Sequence, residues 1–80
     1  MTIAAIVAYY RDEKTIKKFG KKLREVRQAK GISQEQLALA CGLEYSQINR
    51  IELGKVNTSI SHVALLAKYL GVTPCELLES

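Results

Sequence analysis

Four polar side chains within six residues carry the clearest chemistry in this chain. They lie in the stretch YSQINRIE and are Tyr45, Ser46, Asn49 and Arg50. At about 100° per residue in a helix, Ser46 and Arg50 point away from the apolar pair Ile48 and Ile51. Such a helix has an apolar rear face and hydrogen-bonding groups in front. Those groups are suited to contacting base edges in a DNA major groove.

Each candidate base contact has a suitable partner in DNA. Arg50 can donate two hydrogen bonds to guanine O6 and N7, which discriminates between base pairs by about 1–3 kcal/mol. Ser46 and Asn49 suit adenine edges, and the Tyr45 ring suits a thymine methyl group. The sequence shows no nucleophile–base pair, no metal-ligand set and no phosphate-cradling glycine loop. We therefore predict that the chain is not an enzyme and needs no cofactor.

A second set of polar residues is placed to hold the DNA backbone. Gln34 stands at the start of the preceding helix, beside unpaired backbone N–H groups and the positive end of the helix dipole. Lys55 and Asn57 follow the helix that carries the candidate base contacts, and they are expected to hold the DNA backbone on its other side. These residues predict phosphate contacts, which fix the position of the protein on the duplex.

Two short helices joined by a tight turn must position these side chains. Ser33 and Gln36 have the spacing of a capping box, and Gly42 supplies the positive φ that ends the helix begun at Ser33. The helix after the turn is predicted from about Tyr45 to Leu53. Two helices in this relation are a helix-turn-helix.

The remaining sequence predicts three more helices, so the fold is all-α with five helices. The first should run from about Asp12 to Lys30, with Ile16, Phe19, Leu23 and Val26 as its apolar stripe. The fourth should begin at Thr58 or Ser59, and its predicted apolar face includes Ile60 and Ala64. A short fifth helix should start after Thr73 and end near Glu79. His62 is expected to be an exposed residue in the first turn of the fourth helix.

Charge and cysteine usage narrow the class of protein. The 80 residues carry a net charge of +4, with a pI of about 9.2. Residues 1–31 hold nine Lys and Arg against three acidic residues, which is suited to a polyanion. Cys41 and Cys75 lie far apart, and one His with two Cys cannot complete a structural zinc site. Reduced thiols fit a cytoplasmic protein.

The segment from about Phe19 to Leu78 resembles the Cro/phage-repressor helix-turn-helix family, also called the XRE family. The matching residues are Gly20, Leu23, Arg24, Arg27, KGISQEQLA at 30–38, Gly42, Ile48, RIE at 50–52, Gly54, Lys55 and LAKYLGV at 66–72. The resemblance implies a five-helix domain, in a regulator of a prokaryote or phage, that binds operator DNA as a two-fold dimer. Recognition helices would then enter successive major grooves of a palindromic site roughly 34 Å apart.

The resemblance also implies roles for individual residues. Positions that match Tyr45, Ser46 and Arg50 contact bases in the family. Those that match Gln34 and Gln47 contact phosphate or brace the reading side chains. A first-helix Arg pairs with a Glu at the end of the recognition helix, here Arg27 with Glu52.

Two positions depart from the family pattern. Glu44 stands where Ser or Thr often caps the recognition helix, and a carboxylate near phosphates is repulsive. Val56 and Thr58 stand where Arg, Lys or Pro often follow, so backbone affinity per subunit is expected to be modest.

Residues 1–12 are an apolar N-terminal extension to the helix-turn-helix domain of residues 13–80. We expect the extension to be a dimer arm, with Leu77 and Leu78 as the competing dimer surface. The sequence predicts no membrane span and no small-molecule substrate. It leaves open an antitoxin or a restriction–modification controller of the same fold, and a helical protein-interaction module without DNA binding, which Glu44 supports.

Overall fold

A computed structural model describes residues 12–78, which form five α-helices and no strand. The helices are α1 (Glu13–Ala29), α2 (Gln34–Cys41), α3 (Tyr45–Glu52), α4 (Ile60–Leu70) and α5 (Pro74–Leu78). The all-α prediction is therefore confirmed. The predicted dimer arm lies outside the described residues, apart from Asp12. No helix within residues 12–78 is both long enough and apolar enough to span a bilayer.

Local side-chain bonds explain where the helices begin. Asp12 caps α1, because its carboxylate accepts hydrogen bonds from the Thr15 backbone N–H at 3.1 Å and from the Thr15 hydroxyl at 2.8 Å. These bonds lower the pKa of Asp12. Ser33 and Gln36 form the reciprocal capping box at α2. Ser59, rather than Thr58, caps α4.

The helices enclose one small apolar core. Its largest fully buried side chains come from every helix and are Leu23, Leu37, Ile48, Leu66 and Leu77. The predicted inward residues Ile16, Phe19 and Ile51 are also buried, and Val26 is partly buried. The helix-turn-helix packs through α2 against α3, and α1 crosses behind α3.

Three expectations about apolar residues were wrong. Ile60 is 87 % exposed and Ala64 is exposed, because core packing on α4 starts only at Val63. Leu77 is completely buried in the core of its own chain, so it is not available as a dimer surface. Leu78, its neighbour, is 58 % exposed and remains available.

Candidate nucleic-acid interface

The rear of α3 is held by unusually close helix packing. Ile48 and Ile51 are buried, and the backbone of α1 approaches that of α3 at Gly20. A Cβ atom on Gly20 would overlap the carbonyl oxygen of Ile51 and would lie 2.8 Å from that of Glu52. Only glycine therefore allows α1 to lie this close to α3. A glycine inside a helix is unfavourable by itself, and this cost is the sequence signal that could have revealed the close approach.

A buried ion pair ties α1 to the end of α3. Arg27 Nε donates to Glu52 Oε2 at 2.6 Å, and Arg27 Nη2 donates to Glu52 Oε1 at 3.0 Å. Arg27 Nη1 also donates to the carbonyl oxygen of Ile32 at 2.8 Å. The hydrogen bonds to Glu52 raise the pKa of Arg27, and burial opposes this shift. This is the pair that the family resemblance implies.

Gln34 joins the same network. Its Nε2 atom donates to Glu52 Oε1 at 2.9 Å, and its side chain is partly buried. The residue expected at a phosphate is therefore held to a carboxylate of α3, 18 positions along the chain. This bond was missed by sequence reasoning, because nothing local to either residue indicates that they meet.

Two clefts flank α3, and the candidate base contacts divide between them. The first cleft has a volume of about 410 Å³ and contains Tyr45 and Asn49 of α3 opposite Gln34. Arg24 of α1 also lines it, which sequence reasoning did not anticipate. This flank thus brings two predicted base contacts together with one predicted phosphate contact.

The second cleft lies on the other flank of α3 and has a volume of about 330 Å³. Gln47 and Arg50 of α3 line it, together with Asn57 from the loop and His62 from α4. His62 is partly buried there rather than fully exposed, so that expectation was wrong. Lys55 is exposed and lines neither of these two clefts.

The outermost ridge of α3 lies between the clefts. Ser46 is exposed and lines neither cleft, and Arg50 is exposed at the edge of the second. Within residues 12–78, neither side chain makes a hydrogen bond or an ion pair. The ridge therefore offers hydrogen-bonding groups to an external partner.

The N-terminus of α3 is braced by Gln47. Its Oε1 atom accepts a hydrogen bond from the Glu44 backbone N–H at 2.8 Å. This bond fixes the side-chain carbonyl and leaves the amide NH₂ group as the part of Gln47 suited to a phosphate. Glu44 itself is exposed, so its charge remains solvated at the edge of the interface.

An exposed polar helix that packs against a second helix across a tight turn is the arrangement of a DNA-binding helix-turn-helix. A helix-turn-helix family model matches residues 23–77, and the chain belongs to this family, in its XRE type. The control protein C.BamHI of Bacillus amyloliquefaciens is 42% identical over 62 residues, which are 76% of this chain and 76% of that protein. The chain is a DNA-binding transcriptional regulator.

Two further comparisons agree with this class. The crystal structure of the restriction-modification controller protein C.AhdI from Aeromonas hydrophila has a TM-score of 0.75 and 45% sequence identity, covering 78% of this chain and 94% of that one. The transcriptional regulator PuuR of Escherichia coli is 42% identical over 57 residues, which are 71% of this chain but 31% of PuuR.

Proposed function

We propose that the chain binds a palindromic operator as a homodimer, with α3 of each copy in the major groove. The observation that carries this proposal is the free outer ridge of α3, where Ser46 and Arg50 have no intramolecular side-chain bond within the described residues. A groove-reading helix needs such groups unpaired, because base edges must supply their partners. A regulator of this kind acts in the cytoplasm of a prokaryote.

The proposal gives different roles to the residues of the two clefts and of the ridge. Tyr45 and Asn49 reach bases from the first cleft, and Ser46 and Arg50 reach them from the ridge. The phosphate contacts are Gln34 on the first flank and Gln47 and Asn57 on the second, and Lys55 adds a charged contact from just beyond the end of α3. Because a helix in the major groove lies between two sugar–phosphate strands, contacts on both flanks fix its depth and direction.

Enrichment of random duplexes by the purified protein tests the proposal and supplies the operator. Arg50→Ala should then lose about 1–3 kcal/mol of discrimination between operator and random DNA. Lys55→Ala is the matched control, and it should weaken binding to both DNAs alike. It should also reduce by about one the salt slope, which is the slope of log affinity against log salt concentration. Equal losses of Arg50→Ala on both DNAs would contradict base reading.

The dimer is tested by sedimentation. Leu78 is the large exposed apolar side chain of α5, so Leu78→Glu should yield monomers if this surface holds the two copies together. Removal of residues 1–11 should do so if the extension is the dimer arm. If the 80-residue chain sediments as a monomer and binds a single half-site, the two-fold arrangement is contradicted.

A restriction–modification controller is the second candidate for the biological role. The similarity to C.BamHI and C.AhdI favours it, because this chain covers 76% and 94% of those two proteins against 31% of PuuR. The operator should then lie upstream of genes for a restriction endonuclease or its methyltransferase. An enriched operator that lies only before unrelated genes would exclude this role.

A further inference from the structure

The second cleft contains the only histidine of the chain. His62 is the third residue of α4, and its backbone N–H donates to the Ser59 hydroxyl at 3.2 Å. This bond fixes the first turn of α4, so the position from which the imidazole projects is defined. The side chain is partly buried beside Gln47, Arg50 and Asn57.

The position of this cleft brings it to the DNA backbone when α3 reads bases. The major groove is about 12 Å wide, and sugar–phosphate strands form both of its walls. A helix inserted in the groove therefore has one strand along each flank. Gln47, Asn57 and His62 line one flank of α3, so in the groove all three would face the same sugar–phosphate strand.

The charges around His62 determine how a nearby DNA phosphate would affect protonation of its imidazole. Arg50 is the charged residue that lines the cleft from α3, and neither the loop nor α4 adds a carboxylate to it. The first cleft differs, because Glu35 and Glu52 line it. In the second cleft, a DNA phosphate would therefore supply the negative charge that favours a protonated imidazole.

We propose that His62 contacts a DNA phosphate from the α4 flank and that operator binding takes up a proton at its imidazole. The inference rests on the proposed function, because it needs α3 in the groove. Histidine is the side chain that normally changes charge between pH 5 and 8, so operator affinity becomes linked to pH in this range. Since the chain has one histidine, this link is assigned to one side chain.

The test compares operator affinity of the full chain with that of His62→Gln at pH 6 and pH 8. The wild type should bind more tightly at pH 6, by about three- to tenfold beyond any change in the variant. Its salt slope should exceed that of the variant by about one at pH 6, because one more phosphate is neutralised. At pH 8 the two slopes should coincide. Other titrating groups are common to both proteins and cancel in the difference.

A matched control keeps one histidine on α4 but moves it. His62→Gln combined with Ala64→His places the imidazole at an exposed position, about 200° around the helix from residue 62. It should behave as His62→Gln alone. A pH-dependent gain that persists in this double variant would overturn the assignment to the second cleft.

The NMR signal of the single imidazole gives an independent measurement. In the operator complex it should keep its protonated position to higher pH than in the protein alone. An unchanged titration, together with equal affinities of the wild type and His62→Gln at both pH values, would overturn the inference. The proposed function fails separately, if the wild type binds no duplex in preference to random DNA.

Discussion

Glu52 and Arg50 lie two residues apart on α3, yet their surroundings are opposite. The Glu52 carboxylate is buried and accepts hydrogen bonds from Arg27 and Gln34. Arg50 is exposed and makes no side-chain hydrogen bond within the described residues. The same short helix therefore has a rear face with fixed partners and an outer ridge without them.

This difference shows how a domain with a small core can present a rigid reading surface. Stabilising contacts are concentrated behind α3, where Gly20 admits the backbone of α1 and the ion pair ties the two helices together. The ridge contributes little to folding, so its side chains remain available to DNA. Rigidity behind the interface lowers the ordering cost of binding.

The largest effect should follow from breaking the ion pair behind α3. Glu52→Ala leaves Arg27 buried without its carboxylate, and it should lower the free energy of unfolding by about 3–5 kcal/mol. Glu35→Ala is the control, because Glu35 is an exposed carboxylate beside the same cleft and should change stability by at most about 0.5 kcal/mol. Urea denaturation followed by circular dichroism measures both. Small losses of unfolding free energy in both variants would show that the Arg27–Glu52 ion pair does not hold the rear face of α3.

The next effect should come from two glycines that differ in what they require. Gly20→Ala forces a methyl group against the α3 backbone, and it should cost about 3 kcal/mol. Gly42→Ala has nothing within 4 Å of its new Cβ but retains a φ of +68°, so it should cost about 1 kcal/mol. Thermal unfolding ranks the two. The reverse order would mean that the turn, rather than helix contact, limits stability.

Substitution of Gln34 tests whether this side chain acts behind α3, at the DNA interface, or in both places. Gln34→Ala removes one hydrogen bond to Glu52, and it should lower the free energy of unfolding by about 1 kcal/mol. If the amide also contacts phosphate, the affinities for operator and random DNA should fall alike with the salt slope unchanged, because a neutral amide releases no counterion. Gln28→Ala, at an exposed position of α1, serves as the control. A loss of stability with an unchanged DNA affinity would confine Gln34 to the rear face.

The smallest perturbation distinguishes the two cysteines. Burial raises the pKa of the Cys41 thiol, so this thiol stays protonated at neutral pH and alkylates slowly. Cys75 is exposed and should react first with iodoacetamide at pH 8. Peptide mass spectrometry over time measures both rates. Faster labelling of Cys41 would mean that the core behind the turn opens readily.

The sequence alone determined the helix ends and the inward faces near the turn. The capping box of Ser33 and Gln36, the end of α2 at Gly42 and the burial of Ile48 all follow from signals within about four residues. Helical periodicity by itself also puts Tyr45 and Gln47, two residues and about 200° apart, on opposite flanks of α3, where the two clefts have them. Such features are readable because backbone geometry fixes them locally.

Only the tertiary structure decided which distant residues meet. It placed Gln34 on Glu52, Gly20 beneath α3 and His62 in the second cleft, and it turned Leu77 inward. These outcomes depend on the distances and crossing angles of whole helices, which the packing of all core side chains sets together. No stretch of a few residues contains that information, so the partners of the reading helix became visible only when the chain was folded.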